Sequence, residues 1–467
     1  MARRFSALFC AVFFAFAASS IRAQSPKLVI RNARIMTMAG GLDTPQTLVN
    51  GYISVASDGT ILAVAAGEPP TSLHEAKIVD AHGDYMIPGF ISAHSHLWQA
   101  AYRGLAADKT LHGWIDDLYG ARAIHATPED LYWFTLYGSL DHLEHGVTAA
   151  FDFTYSPRTA DPRALEFEQQ QFRAESDSGI RFVHGYSPGR IGPAVTPEDA
   201  AARLKAFLAW VAAQPKSANY LSTMLSGMTA FNNTEQQSVF EAAMMKQYHL
   251  GNETHYLEPP DDQGEQRTKF RWMLDTGLLQ QGLIFGHFIH TDDFILEQTA
   301  AAHASMSWQP LSNGRLASGT ADIPKYLKMG VRVGMGVDGE ASADLADPFE
   351  NMRTGLYAIR DKYESAAIMS PYQALWLHTM GSADVLNVKD KLGSLEPGKF
   401  ADLLLINPAR LGPALEDPYA NLVFVAAERD IDSVYIGGEL MVDHNQVLNK
   451  DLTKVQTESD RRVLLIH

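Results

Sequence analysis

The 467-residue chain has a single cysteine, Cys10. One thiol excludes a disulfide framework and a thiolate metal cluster. Basic residues are scarce: 38 Lys and Arg stand against 54 Asp and Glu, a formal charge of −16. Such a surface repels nucleic-acid phosphates and anionic lipid headgroups, so neither is expected as a partner. Beyond residue 23 no apolar run is long enough to span a bilayer. Fixed-period repeats and low-complexity tracts are missing as well. What is present is ordinary globular composition, 46% apolar and 20% charged, in a chain long enough for two or three domains or one large barrel with an appendage.

The first 23 residues, MARRFSALFCAVFFAFAASSIRA, read differently from the rest. Two arginines precede an apolar stretch from Phe5 to Ala18, and small residues lead to Ala23. This is the pattern of a secretory signal cleaved after Ala23. The expected mature protein is cysteine-free, secreted or periplasmic, and not membrane-bound.

Both ends of the remaining chain carry short β-like runs separated by turns: residues 24–86, with GYISVASDGTILAVAAG, and residues 393–467, with GSLEPGKFADLLLINP and DIDSVYIGGELMV. Neither piece is large enough for a comfortable domain alone, so the two ends are expected to pair into one small β-sandwich. Between them, residues 87–392 hold the rest of a different pattern. Eight apolar runs recur at 85–96, 146–153, 179–187, 220–228, 248–258, 282–290, 301–310 and 330–339. The segments between carry helix starts such as Thr196-Pro197-Glu198-Asp199. Eight βα units over about 300 residues predict an α/β fold, a (β/α)8 TIM barrel.

Barrel chemistry sits at the carboxyl ends of the strands, and these runs end in polar residues. His94 and His96 close the first; Asp152, His184, His255 with Glu258, and Asp338 close later ones, and His287 and His290 lie in the sixth. His94 and His96, two apart on a strand, point to one face. With a third histidine and an aspartate at other strand ends they form a three-His, one-carboxylate set of the kind that binds zinc, iron or manganese.

The segments PGFISAHSHLWQAAYRGLA, HLEHGVTAAFDF, GVDGEAS and LGSLEPGKFADLLLI resemble, in order and over nearly the whole mature chain, the amidohydrolase superfamily. The resemblance is to its deaminase and chlorohydrolase branch, which includes cytosine and guanine deaminases and triazine hydrolases. It implies a barrel flanked by a β-sandwich built from both chain ends. It also implies metal ligation by His94, His96, His255 and Asp338. His255 is favoured over His249 because Glu258 follows it at the family spacing. Glu258, His287 and Asp338 take the catalytic roles. Other branches hold two metals bridged by a modified lysine on the fourth strand; the run 220–228 has no lysine, so one divalent metal is expected, Zn2+ with Fe2+ as the alternative.

On the substrate side, Gln99 follows His96 by three, and its amide offers both donor and acceptor to a heterocycle. Trp98 and Arg103 stand on the same loop as candidate contacts to a flat or anionic small molecule. The roles of Trp308, Asp152 and His184 stay open, as does homo-oligomerisation. The expected activity is hydrolytic deamination of an aminated N-heterocycle by metal-activated water. Hydrolysis of an amide, carbamate or aryl-halide bond is the first alternative, and a secreted binding protein with a dead site the second.

Overall fold

The computed structural model describes residues 25–466 other than 47, 74, 158–160 and 416. The expected signal segment lies outside the described residues. Among them no helix is long and apolar enough to cross a membrane.

Five strands open the chain: β1 (Pro26–Ile35), β2 (Val49–Ala56), β3 (Ile61–Ala66), β4 (Lys77–Asp80) and β5 (Tyr85–Pro88). Eight more follow: β6 (Phe90–Ser95), β7 (Val147–Phe153), β8 (Arg181–Tyr186), β9 (Tyr220–Gly227), β10 (Gly251–Tyr256), β11 (Leu283–His287), β12 (Ser305–Trp308) and β13 (Arg332–Met335). The chain closes with β14 (Leu403–Ile406), β15 (Ile431–Ile436), β16 (Glu439–Asp443) and β17 (Gln446–Val447).

Strands β1–β5 and β14–β17 form one nine-stranded sheet in the order β17-β16-β15-β14-β5-β1-β2-β3, with β4 beside β1. The two chain ends meet where β5 pairs antiparallel with β14. This sheet encloses its own apolar core, including Leu28, Ile53, Val55, Leu403 and Leu405.

Strands β6 to β13 pair in sequence order, each parallel to the next. Helices lie between most of them, making a (β/α)8 barrel. Its closing contact runs from Asp338 N to His94 O at 3.0 Å, beside a parallel bridge between Ser95 and Asp338. Gly336 permits this approach, because a Cβ there would lie 2.6 Å from the His94 carbonyl oxygen. The closure thus sets an acidic residue next to the two histidines of β6.

The eight apolar runs all contain barrel strands. Strands such as β6, β7 and β8 are buried along their whole length, and burial on both faces produces continuous apolar sequence rather than alternation. The expected helix start at Thr196 carries its cap, accepting from Asp199 N, and two later helices are capped in the same way, Asp292 accepting from Ile295 N and Asp322 from Lys325 N. The helix Gln236–Tyr248 has no side-chain cap.

Two features differ from the expected division of the chain. The first run splits at Gly89, β5 joining the sheet of the chain ends and β6 the barrel. A Cβ at Gly89 would meet Thr148 Oγ1 at 2.2 Å, so the chain can bend tightly over β7 there. The last segment is not all β: the helix Leu452–Val463 packs on the barrel helix Pro128–Glu144. Arg462 fastens it, 2.9 Å from Asp130 and 2.6 Å from Glu129.

Candidate active site and metal centre

The polar strand ends converge at one end of the barrel. His94 and His96 share a face of β6 because strand side chains alternate. β10 brings His255, and the turn after it brings Glu258. β11 ends on His287, and Asp338 follows β13. Leu257, His287, Phe288 and Asp338 all have positive φ, between 51° and 65°. Non-glycine residues adopt this left-handed conformation at a cost, and such strain collects at functional sites.

The ligand-type atoms crowd together. His96 Nε2 lies 3.1 Å from His255 Nε2. Asp338 Oδ1 lies 3.4 Å from His94 Nε2 and 3.5 Å from His96 Nε2. His287 Nε2 is 3.9 Å from Asp338 Oδ2 and 3.6 Å from Glu258 Oε2. Two sets, His94 with His96 and Asp338, and His94 with His255 and His287, each hold their ligand atoms within 4.8 Å of one another. They share His94 and describe one centre.

The far side of three rings is anchored. The Phe153 carbonyl accepts from His96 Nδ1 at 3.1 Å, Glu253 Oε1 from His94 Nδ1 at 2.6 Å, and Asn313 Oδ1 from His287 Nδ1 at 2.7 Å. These bonds turn the other ring nitrogens inward. His94 Nε2 is buried without a hydrogen-bond partner among the described residues. Ser342 donates to Asp338 Oδ2 at 3.1 Å.

Electrostatics favour a cation here. Burial and the neighbouring His94 hold His96 down at about 3, and burial with three surrounding imidazoles lowers His255 as well. Both rings are therefore neutral, as metal ligation requires. Burial opposes charge on His94, yet the Glu253 and Asp338 carboxylates hold its pKa up at about 10. Burial also opposes charge on Asp338, but His94 and the other imidazoles keep it ionised well below its ordinary range. Burial raises Glu258 above its ordinary value, which suits a group that must carry a proton.

The donor set fits zinc. Nitrogen and oxygen ligands about 2.0–2.1 Å from a tetrahedral zinc lie roughly 3.3 Å apart. The separations of 3.1, 3.4 and 3.5 Å among His94, His96, His255 and Asp338 match that spacing. His249, the weighed alternative to His255, caps the helix Gln236–Tyr248 before β10 begins, at the end of the strand remote from this cluster.

Above the cluster opens a cavity. Its floor carries His96, His255, Glu258, His287 and Asp338, and its walls are largely aromatic: Trp114, Tyr119, Phe153, Tyr155 and Phe231. Arg190 lines it too.

Trp98, Gln99 and Arg103, expected to touch substrate, are not among the lining residues. After His96 the chain turns into a short 3-10 helix, Leu97–Tyr102, that runs behind the wall. Trp98 packs there edge-on against Tyr102, Tyr119 and Tyr155. Gln99 is fully buried and reaches Tyr119 Oη at 3.2 Å. Arg103 is engaged by Glu340, by Asp141 at 2.7 Å and by Tyr137 Oη at 2.6 Å. Part of the wall comes instead from residues 111–119, which carried no signal in the sequence.

The undecided residues also find places. Asp152 Oδ1 accepts from Leu97 N at 2.9 Å, holding the start of the 3-10 helix. His184 sits between Glu175 at 2.9 Å and Glu168 at 3.1 Å. Trp308 is buried in the core, where Gly355 makes room for its ring. Glu253 and Gln309 were missed altogether; Gln309 Oε1 accepts from His287 N at 2.8 Å. Period-2 spacing from His255 was the available signal for Glu253.

Residues 85–441 match the profile of the Amidohydrolase family. This chain belongs to that family. Among its relatives are two proteins named 5-methylthioadenosine/S-adenosylhomocysteine deaminase. That of Pelotomaculum thermopropionicum is 27% identical over 446 residues, covering 94% of this chain and 98% of the relative. That of Symbiobacterium thermophilum is 28% identical, covering 89% and 94%. Among solved structures, an adenosine deaminase from Xanthomonas campestris with bound zinc superposes with a TM-score of 0.82 at 20% identity, over 95% of this chain and all of that one. An atrazine chlorohydrolase from Arthrobacter aurescens complexed with zinc superposes at 0.78 and 21%, over 93% and 100%. This amidohydrolase thus shares its fold with enzymes that act on different bonds.

Proposed function

We propose that this amidohydrolase is a hydrolytic deaminase of an aminated aromatic N-heterocycle, working with one zinc ion. The observation that carries the reading is the convergence of four metal-ligand side chains with Glu258 and His287 on the floor of an aromatic-walled cavity. The names of the curated relatives and of the zinc-bound adenosine deaminase support the deaminase reading over cleavage of other bonds.

His94, His96, His255 and Asp338 would hold the ion. When bound, it supplies Lewis-acid chemistry that makes a water nucleophilic near neutral pH. The side chains do the rest. The aromatic walls stack the flat ring, and the low-dielectric cavity keeps bulk water away. Ionised Asp338, steadied by Ser342, takes a proton from the attacking water. His287 Nε2, an acceptor because Nδ1–H is given to Asn313, orients that water. Glu258, whose carboxyl burial pushes above its ordinary value, passes a proton to the ring nitrogen, as a positioned general acid must. Asp338 then hands its proton to the exocyclic amine, the C–N bond breaks to release ammonia, and the new C–OH loses its proton to Glu258 as the carbonyl forms.

The test is ammonia release by the zinc-loaded protein across aminated purine nucleosides, pterins, pyrimidines and triazines, with chloride and amine release followed in parallel. Ammonia from at least one heterocycle is expected. Its absence, with chloride or amine released instead, would overturn the reading in favour of a different bond. Export belongs to the same proposal and rests on the amino-terminal segment. Amino-terminal sequencing of the protein recovered outside the cytoplasm should begin at Gln24.

A further inference from the structure

Glu253 is a buried carboxylate that the chemistry above does not use. It lies two residues before His255 on β10, so both side chains project into the barrel interior. Its Oε1 is 2.6 Å from His94 Nδ1, and neither side chain is exposed to solvent. The partners come from strands on different sides of the barrel, 159 residues apart. The second oxygen, Oε2, is buried with no hydrogen-bond partner among the described residues.

A carboxylate with an unsatisfied oxygen in a dry interior destabilises the fold unless a positive charge compensates it. His94 is its one hydrogen-bond partner among the described residues. The anchors behind His96 and His287, a carbonyl and an amide, are neutral. Glu253 alone adds charge behind a ligand ring.

We propose that Glu253 is a positioning residue for the metal: it fixes the His94 ring with Nε2 toward the cation and strengthens that nitrogen as a donor, so it is kept for metal retention rather than for folding. The proposal rests on the zinc reading of the site but not on the substrate. An outer carboxylate behind a ligating histidine contributes about 10–100-fold to metal affinity.

The experiment compares wild type with Glu253→Gln, which keeps an acceptor oxygen and removes the charge. Zinc affinity is measured by chelator competition, and thermal unfolding is recorded with and without zinc. Glu253→Gln should bind zinc at least tenfold more weakly. Its zinc-free form should lose less stability than its zinc-loaded form, so that the gain on adding zinc shrinks. Zinc affinity within threefold of wild type would overturn the proposal. So would a zinc-free form destabilised as much as the loaded one, since that marks a folding role. If Glu253→Gln cannot be isolated, Glu253→Asp decides on the same two readouts, because it retains charge but withdraws from His94. Neither measurement involves substrate, so a failed ammonia assay would leave this result standing, and the converse holds.

Discussion

His287 Nδ1 and Asn313 Oδ1 meet at 2.7 Å in a fully buried contact. The ring is also held through its backbone, which gives its N–H to Gln309 and adopts a φ of 65°. Two side chains from the segment after β12 thus fix a ring on β11. Without Asn313 the imidazole loses the partner that sets its tautomer, and Nε2 no longer presents a reliable acceptor. Asn313→Ala should reduce kcat about 100-fold, within the range for misplaced acid–base groups, while zinc content stays at wild type. Steady-state kinetics with metal analysis checks this. An unchanged kcat would remove His287 from the orienting role.

Glu258 faces His287 from across the cavity floor, and Ser318 approaches its Oε1 at 3.4 Å. The glutamine amide is similar in shape but cannot transfer the proton. Glu258→Gln is expected to retain zinc and fold normally, and to lose about 10²–10⁴-fold in turnover. Turnover within tenfold of wild type would show that another group moves the proton.

The barrel was legible because parallel strands covered on both faces leave unbroken apolar runs, and eight of them stood out. The metal cluster was legible because His94 and His96 obey strand periodicity and the other ligands end strands. The walls were not. Trp98, Gln99 and Arg103 sit on an irregular segment where no period says which side faces the cavity. Arg103 is turned away by Glu340 and Asp141, whose positions only the folded chain reveals. Glu253 keeps strand period with His255, but its role depends on His94, which stands on a strand at another side of the barrel.

His184 carries a pH prediction. Burial disfavours its charge, but Glu175 and Glu168 outweigh burial and raise its pKa from 6.5 to about 10. A histidine raised on folding stabilises fully below its unfolded value and loses that contribution as pH climbs through the folded one. The window here is pH 6.5 to about 10. Burial raises the nearby Asp152 and Glu168 carboxyls, which also weakens the fold as pH rises. His184→Asn should therefore cost about 3–5 kcal/mol near pH 6, as expected for a broken buried pair, and much less near pH 10. Urea unfolding at both values reads the difference; an equal loss at the two would show that packing, not charge, holds this residue.

The carboxyl-terminal helix carries the last prediction. Its follow-on residue Ile466 is buried in an apolar cluster that also holds Trp98, Leu111 and Trp114, so the tail packs behind the cavity wall. Leu464 and Leu465 beside it are exposed. Arg462 adds ion pairs, of which the one to mostly exposed Glu129 contributes about 0–1 kcal/mol and the one to Asp130 is more buried. Burial of an isoleucine contributes more, about 2–5 kcal/mol when truncated to alanine. Ile466→Ala should therefore loosen the wall more than Arg462→Ala does. The expected result is a several-fold rise in KM with kcat and zinc content unchanged, and a shift in tryptophan fluorescence from Trp114. A fall in kcat at constant KM would place the tail's influence on the reacting groups instead of the wall.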